Sequence, residues 1–153
     1  MARVSALVRI GLIAGTLDIS ENLIFNAFRH ITPAMIFRYI ASGLVGPSAF
    51  HGGAGTIALG VAIHYAIAIA WTALYSFAAP HWRVLVRRPV VCGLLYGALV
   101  YVVMNFVVLP MTRVPHSHAA ASIASRVSGV LALLFCIGLT VSLLTAREQR
   151  AEI

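Results

Sequence analysis

TIALGVAIHYAIAIAWTALYSFAA, residues 56–79, is an uninterrupted apolar stretch with no Asp, Glu, Lys or Arg. At about 1.5 Å per residue, a helix of this length exceeds the roughly 30 Å of hydrocarbon in a bilayer. A basic loop containing Arg83, Arg87 and Arg88 follows directly. The stretch therefore predicts a transmembrane helix that ends at a membrane surface.

Three further apolar runs, at about 7–28, 90–109 and 127–145, also predict spans. The run at about 33–45 is too short to cross the hydrocarbon. Thr32 is suited to cap it and Pro33 to open its first turn. The predicted fold is all-α: one polytopic transmembrane domain, residues 1–153, of four transmembrane helices plus one short interfacial or re-entrant helix.

Composition supports a lipid environment, because 61% of the residues are hydrophobic and only 10% are charged. Soluble domains carry roughly 25% charged residues. The net charge of +7 comes from arginines spread between apolar runs, without an aromatic-interleaved basic face. The predicted partner is therefore the lipid bilayer and not nucleic acid. Cys92 and Cys136, inside apolar runs and outside any CxxC motif, are expected to be small buried apolar residues.

The distribution of arginines predicts the orientation. The N-terminus, the loop after the second span and the C-terminus carry seven: Arg3, Arg9, Arg83, Arg87, Arg88, Arg147 and Arg150. The opposite side carries four: Arg29, Arg38, Arg113 and Arg126. Because positive charge favours the cytoplasm, both termini are expected there. The first span is interpreted as retained, since no A-x-A-like cleavage site follows it.

Two GxxxG motifs are candidate sites of close helix packing. Gly11 and Gly15 form one, and Gly93 and Gly97 form the other. Small residues at this spacing let helix backbones approach closely. Both motifs are expected near the cytoplasmic ends of their helices. Packing within the monomer is the favoured interpretation, and dimerisation is the alternative.

The first span also carries a polar stripe. Asp18, Asn22, Asn26 and His30 are spaced by four, and Glu21 follows Asp18 by three residues, so these side chains share one helical face. Exposing this face to lipid would be costly, so it should point into the bundle. Depth along each span places further polar residues near it, in the outer half of the bundle: His64, Tyr101 and Asn105. This convergence predicts a vestibule open to the periplasm.

The intramembrane polar cluster has two interpretations. Its members are interhelical hydrogen-bonding groups, for example Asp18 or Glu21 bonded to His64 or Asn105, each bond contributing about 0.5–2 kcal/mol. Alternatively, the acids and the histidine form a proton or solute site, the use that intramembrane acids have in proton relays. The sequence alone leaves both open.

Four histidines assigned to the outer side are weak metal-site candidates: His30, His51, His116 and His118. No nearby cysteine or acid on that side completes a ligand set, so neither metal nor cofactor is predicted. HGGAG, residues 51–55, lacks the Lys-Ser/Thr of a phosphate-binding loop. No serine stands in a nucleophile-elbow setting. The sequence therefore predicts that the chain is not an enzyme.

Several stretches resemble a family of short bacterial inner-membrane proteins of uncharacterised function: GLIAGTLD (11–18), IASGLVGP (40–47), ALGVAIHYAIA (58–68) and GLLYGALVYVVMNFVVLP (93–110). They are more distantly similar to the YagU-type inner-membrane family, which is associated with acid resistance. The resemblance implies a bacterial inner membrane and four helices. Its motifs are mainly helix-packing patterns, so no catalytic residue carries over.

The functional expectation is a non-enzymatic inner-membrane protein, acting in stress or acid response through its outer polar cluster. One alternative is a small proton-coupled transporter or channel subunit that uses Asp18, Glu21 and His64. Another is a structural or assembly partner of a larger membrane complex, or a homo-oligomer. These alternatives differ in whether the cluster faces water, a neighbouring helix or a second chain.

Overall fold

The computed structural model describes residues 2–114 and 122–151, and within these residues it is all-helical with no strand. The helices are α1 (Ala2–Ala27), α2 (Pro33–Val45), α3 (Ala54–Ala78), α4 (Arg83–Arg87), α5 (Pro89–Met111) and α6 (Ile123–Ala151). A short 3₁₀ helix, Gly46–His51, joins α2 to α3. The predicted all-α fold class is confirmed.

By length and composition, three helices can cross a membrane: α3, α5 and α6. α1 is 26 residues long, comparable with these three, but acids and amides lower the hydropathy of its second half. The structure therefore supports a membrane protein with three candidate spans, and the predicted number of four is not confirmed. α5 and α6 both extend beyond the bounds predicted for them.

The short helix α2 begins as the sequence predicts. Thr32 Oγ1 accepts a hydrogen bond from the Met35 backbone N–H at 3.4 Å, and Pro33 is the first helical residue. Gly46, at φ 77°, ends the helix in a conformation that favours glycine. α2 packs against the start of α3, where Gly60 meets the Phe37 backbone.

The four long helices run antiparallel to their neighbours. α1 lies against α3, with Gly11 at Ile69 and Gly15 at Tyr65. The Arg9–Glu148 ion pair joins the first half of α1 to the end of α6. The Glu21–Ser128 hydrogen bond joins the second half of α1 to the start of α6. α5 also runs antiparallel to α6, with Gly93 at Gly138 and Gly97 at Leu133. The starts of α1 and α5 and the ends of α3 and α6 thus form one end of the bundle, called here the closed end. The opposite end, which carries α2, is the open end.

The half of the bundle toward the closed end holds the apolar core, and a cavity of about 500 Å³ adjoins this core between α1, α3 and α6. Its buried core consists of Ile10, Ala14, Ala68, Tyr75, Ala79, Ile137 and Val141. Buried hydroxyls there have partners: Ser142 Oγ donates to the Pro89 carbonyl at 2.6 Å and lies 2.7 Å from the Tyr75 hydroxyl. Buried polar groups satisfied in this way rigidify a core.

The four glycines singled out in the sequence lie at helix contacts inside the monomer. A Cβ added at Gly97 would meet backbone atoms of Leu133 and Leu134 at 3.0 Å or less. One added at Gly93 would meet Gly138 O at 2.9 Å, so α5 and α6 touch backbone to backbone. Gly11 and Gly15 likewise let α1 approach α3. Gly138 and Gly60, which form part of such contacts, were not recognised from the sequence.

Candidate functional site

The polar stripe of α1 is shorter than the sequence predicts. Asp18, Asn22 and Asn26 lie on α1, but α1 ends at Ala27, and His30 lies in the following turn with φ 58°. The prediction that His30 continues the stripe is wrong. The turn forms because the Asn26 carbonyl accepts the Arg29 N–H at 3.0 Å, which tightens the chain and redirects it toward α2.

Asp18 lies where three adjoining cavities meet. The first, of about 380 Å³, extends from Asp18 into the middle of the bundle and is called here the chamber. The second, of about 570 Å³, extends toward the open end and is called here the mouth. The third, of about 260 Å³, lies between α1, α5 and α6. A single half-buried carboxyl therefore contributes to the wall of all three.

The chamber wall is mostly apolar. Asp18 and His64 are its only acid and imidazole groups among the described residues, and no arginine contributes to it. Part of the wall comes from two π-helical segments, Met104–Val108 in α5 and Leu133–Leu139 in α6. π-Helical turns inside α-helices occur frequently at functional sites.

His64 is fixed against α1, one turn before Asp18. Its Nε2 lies 2.8 Å from the Gly15 carbonyl, and because a carbonyl only accepts, Nε2 is the donor. In the neutral ring, Nδ1 is then an acceptor. The Tyr65 ring packs edge-on to His64 at 5.3 Å between centroids, and its hydroxyl lies 3.0 Å from Thr16 Oγ1.

The hydrogen bonds expected between the acids and His64 or Asn105 are not formed in the described part of the chain. Glu21 Oε1 instead accepts from Ser128 Oγ on α6 at 2.6 Å. Asn105 Nδ2 donates to the carbonyl of Tyr101 at 2.9 Å, one turn earlier on α5.

The other amides also bond locally. Asn26 Nδ2 donates to the Asn22 carbonyl at 2.9 Å and to Asn22 Oδ1 at 3.1 Å. Across residues 2–114 and 122–151, no hydrogen bond reaches the Asp18 carboxylate. The interhelical-bond interpretation therefore fits Glu21, and it does not fit Asp18.

The mouth is more polar than the chamber, and a cation contributes to its wall. Its wall includes Asn22, Asn26 and Ser128 together with Arg29 and Ser125. The Arg29 guanidinium donates to Ser125 Oγ and stands 5.7 Å from the Phe25 ring centroid. Sequence reasoning treated Arg29 only as a topology signal and overlooked both serines, since the start of α6 offered no periodic polar pattern.

α2 closes one side of the chamber, a role that the sequence did not reveal. Tyr39, Ile40 and Gly43 contribute to the wall, and the Gly43 carbonyl accepts the Arg113 backbone N–H at 3.0 Å. α2 is thereby held between α3 and the segment that follows α5. The short helix predicted to lie in the interface is thus also part of the site.

The candidate metal ligands are dispersed or fall outside the described residues. His30 and His51 are exposed, and His116 and His118 lie in the part of the chain that the structure does not describe. Among residues 2–114 and 122–151, no group of three His, Cys, Asp or Glu side chains is arranged to hold a metal ion. Cys92 and Cys136 are free and half-buried.

No family model, curated protein or solved structure matches this chain. The chemistry of the site is therefore read from its own groups. Asp18 has no hydrogen-bond partner in the described residues, faces cavities and stands beside an imidazole whose Nδ1 is free to accept. Intramembrane carboxyls and histidines in such surroundings are the groups that take up and release protons.

Proposed function

We propose that this chain is a non-enzymatic, four-span protein of the bacterial inner membrane that acts in acid or stress response. In this proposal Asp18 takes up and releases protons through the mouth, with His64 beside it. The observation that carries the proposal is that Asp18 faces three cavities without a hydrogen bond in the described chain. A purely structural acid would be paired, as Glu21 is with Ser128.

The outward face of α1 supports its assignment as the fourth span. Beyond its inward polar residues, α1 exposes large apolar side chains along its length: Val4, Val8, Leu12, Ile13, Leu17 and Ile24. An outward apolar face of this length is what a lipid-facing helix requires. α1 also packs lengthwise between α3 and α6, two helices long enough to span. A helix held in that position crosses the membrane with its neighbours.

The arginine bias supports the proposed orientation, with the closed end and both termini in the cytoplasm. Six of the seven arginines assigned to the cytoplasm have described side chains at or near the closed end: Arg9, Arg83, Arg87, Arg88, Arg147 and Arg150. Arg150 also donates to the Val86 carbonyl at 2.8 Å, which joins the C-terminal helix to α4. The mouth then opens to the periplasm.

Single-cysteine labelling tests this orientation. In a chain whose Cys92 and Cys136 are replaced by Ala, Ser48→Cys at the open end and Val84→Cys at the closed end place thiols at exposed positions without altering charge. We expect a membrane-impermeant maleimide added to intact spheroplasts to label position 48 and to reach position 84 only after lysis. The opposite pattern would reverse the proposed orientation and direct the mouth to the cytoplasm.

Proton exchange is tested by infrared difference spectroscopy of the purified protein, in which a protonated carboxyl gives a C=O stretching band that a carboxylate lacks. The groups that share cavity walls with Asp18 are His64, Tyr39, Glu21, Tyr101, Arg29 and Arg126. We expect acidification of the medium to produce a carboxyl band from Asp18 in the wild type, seen as a difference from its spectrum at neutral pH. Asp18→Asn should remove this difference, because the amide cannot carry the proton.

The matched control is Glu21→Gln, one helical turn away on the same helix. Because Glu21 is bonded to Ser128, this variant should retain most of the proton exchange. Acid survival of cells expressing each variant at equal levels provides a second readout. Wild-type proton exchange or survival in Asp18→Asn would refute the proposal and make the cluster structural.

A small proton-coupled transporter is the second candidate, and the chamber favours it. A site that only exchanges protons does not need an apolar cavity of about 380 Å³ beside its acid. An assembly role in a larger complex is less well supported, because a structural partner requires no interior cavities. The size and lining of the chamber therefore decide which solute to consider.

A further inference from the structure

We propose that the chamber binds a small amphipathic organic cation, an ammonium group with an apolar body, with Asp18 as counter-ion. This inference rests on the proposed function in that it uses the same Asp18 carboxyl. It goes further by naming the chemical class of the ligand. It is carried by the composition of the chamber wall and by the way the chamber opens.

The polar groups of the chamber wall favour a positive charge. The Asp18 carboxylate and His64 Nδ1 are acceptors, and no arginine is among the described residues that contribute to the wall. Trp71 also contributes to the wall. Tyr96 contacts this residue twice: its hydroxyl donates to the Trp71 backbone carbonyl at 2.6 Å, and its ring packs edge-on to the indole. An indole face attracts cations. An anion would meet the Asp18 carboxylate, and the described residues of the wall include no arginine to offset that charge.

The remainder of the wall fits an apolar body of limited size. Isoleucines from α2 and α3 face Val100 and Met104 of α5 across the chamber. Its volume of about 380 Å³ lies at the lower end of the roughly 300–1,000 Å³ of small-molecule sites. A ligand with one aromatic ring and a compact ammonium head matches both the volume and the lining.

The side of the chamber that α2 forms is not fully covered. Two residues of its wall, Tyr39 and Leu44, are also 46% and 59% exposed on the outer surface of the bundle. Because α5 is a candidate span, this side faces the membrane. An amphipathic cation that partitions into the bilayer would reach Asp18 by this route without passing Arg29 at the mouth.

Binding and protonation at Asp18 should exclude one another. A neutral carboxylic acid offers little attraction to an ammonium group, and a carboxylate paired with that group binds a proton less readily. Cation and proton would thus compete for one carboxyl. Such competition at a single intramembrane acid is sufficient to couple the movement of one to that of the other.

The test uses equilibrium dialysis of benzyltrimethylammonium against the detergent-solubilised protein. Phenylmethanesulfonate, similar in shape and opposite in charge, is the control ligand. We expect saturable binding of the cation and none of the sulfonate. Asp18→Asn should weaken cation binding by at least about tenfold, because a buried charge loses its counter-ion. Glu21→Gln should bind as the wild type does.

Fluorescence locates the site, because the chain has two tryptophans and only Trp71 contributes to the chamber wall. Trp82 is 65% exposed in the segment before α4, so Trp82→Phe leaves Trp71 as the single reporter. We expect the cation to change Trp71 emission with the same dissociation constant as in dialysis. Asp18→Glu, which keeps the charge, should restore part of the affinity for the cation. This result would show that Asp18→Asn loses affinity because it lacks the charge and not because it misfolds.

The possible outcomes separate this inference from the proposed function. Equal binding of cation and sulfonate, or cation binding unaffected by Asp18→Asn, would overturn it. Absence of cation binding alongside proton exchange that depends on Asp18 would also overturn it and leave the proposed function in place. Binding that depends on Asp18 without any proton exchange would support the chamber site and refute the proposed function.

Discussion

The interface between α5 and α6 is built differently in the two halves of the bundle. Toward the closed end, Gly93 and Gly97 lie against the α6 backbone at Gly138 and Leu133. Toward the open end, a Cβ added at Gly129 would find its nearest neighbour, Tyr101, at 3.8 Å. The same two helices therefore touch at one end and leave space for cavities at the other.

The polar groups of the two halves differ in the same way. In the closed half, the hydroxyls of Ser142 and Tyr75 lie 2.7 Å apart. In the open half, Asp18 faces three cavities without a hydrogen bond in the described residues. Departures from local consistency tend to mark functional sites. We therefore expect the closed half to stabilise the fold and Asp18, in the open half, to contribute little to stability.

The largest effect expected from this comparison comes from enlarging a glycine in the closed half. Gly97→Ile should destabilise the protein by about 3 kcal/mol or more, because the added side chain forces α5 and α6 apart. Thermal unfolding of the detergent-solubilised protein, followed by circular dichroism, measures the loss. A smaller but clear loss is expected for Gly97→Ala, whose single Cβ already meets backbone atoms.

The matched control is Gly129→Ala, on the same helix pair in the open half. The added Cβ finds only ordinary contact there, so helix propensity should make the change neutral or stabilising, by up to about 1 kcal/mol. Equal losses at both positions would show that α5 and α6 pack equally tightly along their length. Unchanged stability of Gly97→Ile would show that they do not touch closely at either end.

Much of the fold follows from local sequence features. The apolar runs predict helices of the right kind in the right order, and Thr32 with Pro33 marks the start of α2. The two GxxxG motifs identify glycines at helix contacts. Neither Gly138, the partner of Gly93 and Gly97, nor the separate contact of Gly60 with the Phe37 backbone could be predicted, because contact partners depend on the rotation and offset of each helix. The π-helical segments lack a recognisable sequence signal for the same reason.

The sequence predicts which residues form the site better than it predicts which of them form hydrogen bonds with each other. Helical spacing and depth place these polar residues, Asp18, Glu21 and His64 among them, in one half of the bundle. Which atoms form hydrogen bonds depends on small helix rotations: Glu21 is bonded to Ser128, whereas Asp18 has no hydrogen bond within the described residues. The role of α2 escaped sequence reasoning because a short apolar helix beside a membrane has many possible docking positions.

The smallest expected effect comes from substituting Asp18 and Glu21, the two acids of α1. Asp18→Leu should raise the free energy of unfolding by about 1–2 kcal/mol. The change replaces a partly desolvated carboxyl, which has no hydrogen bond within the described residues, with an apolar side chain facing an apolar chamber. Glu21→Leu should lower it by about 1–2 kcal/mol, because Ser128 loses its acceptor.

The opposite signs make this pair decisive, because the two acids lie on one helix, nearly one turn apart, and receive the same substitution. Thermal unfolding at one pH and in one detergent compares both variants with the wild type. The double variant Glu21→Leu/Ser128→Ala should recover part of the loss, since removing both partners leaves neither group unpaired.

If Asp18→Leu is as destabilising as Glu21→Leu, then Asp18 makes a stabilising interaction in the folded protein, and its availability for protons or cations is refuted. A stabilised Asp18→Leu that has also lost proton exchange would show that the open half retains this acid for function at a cost in stability.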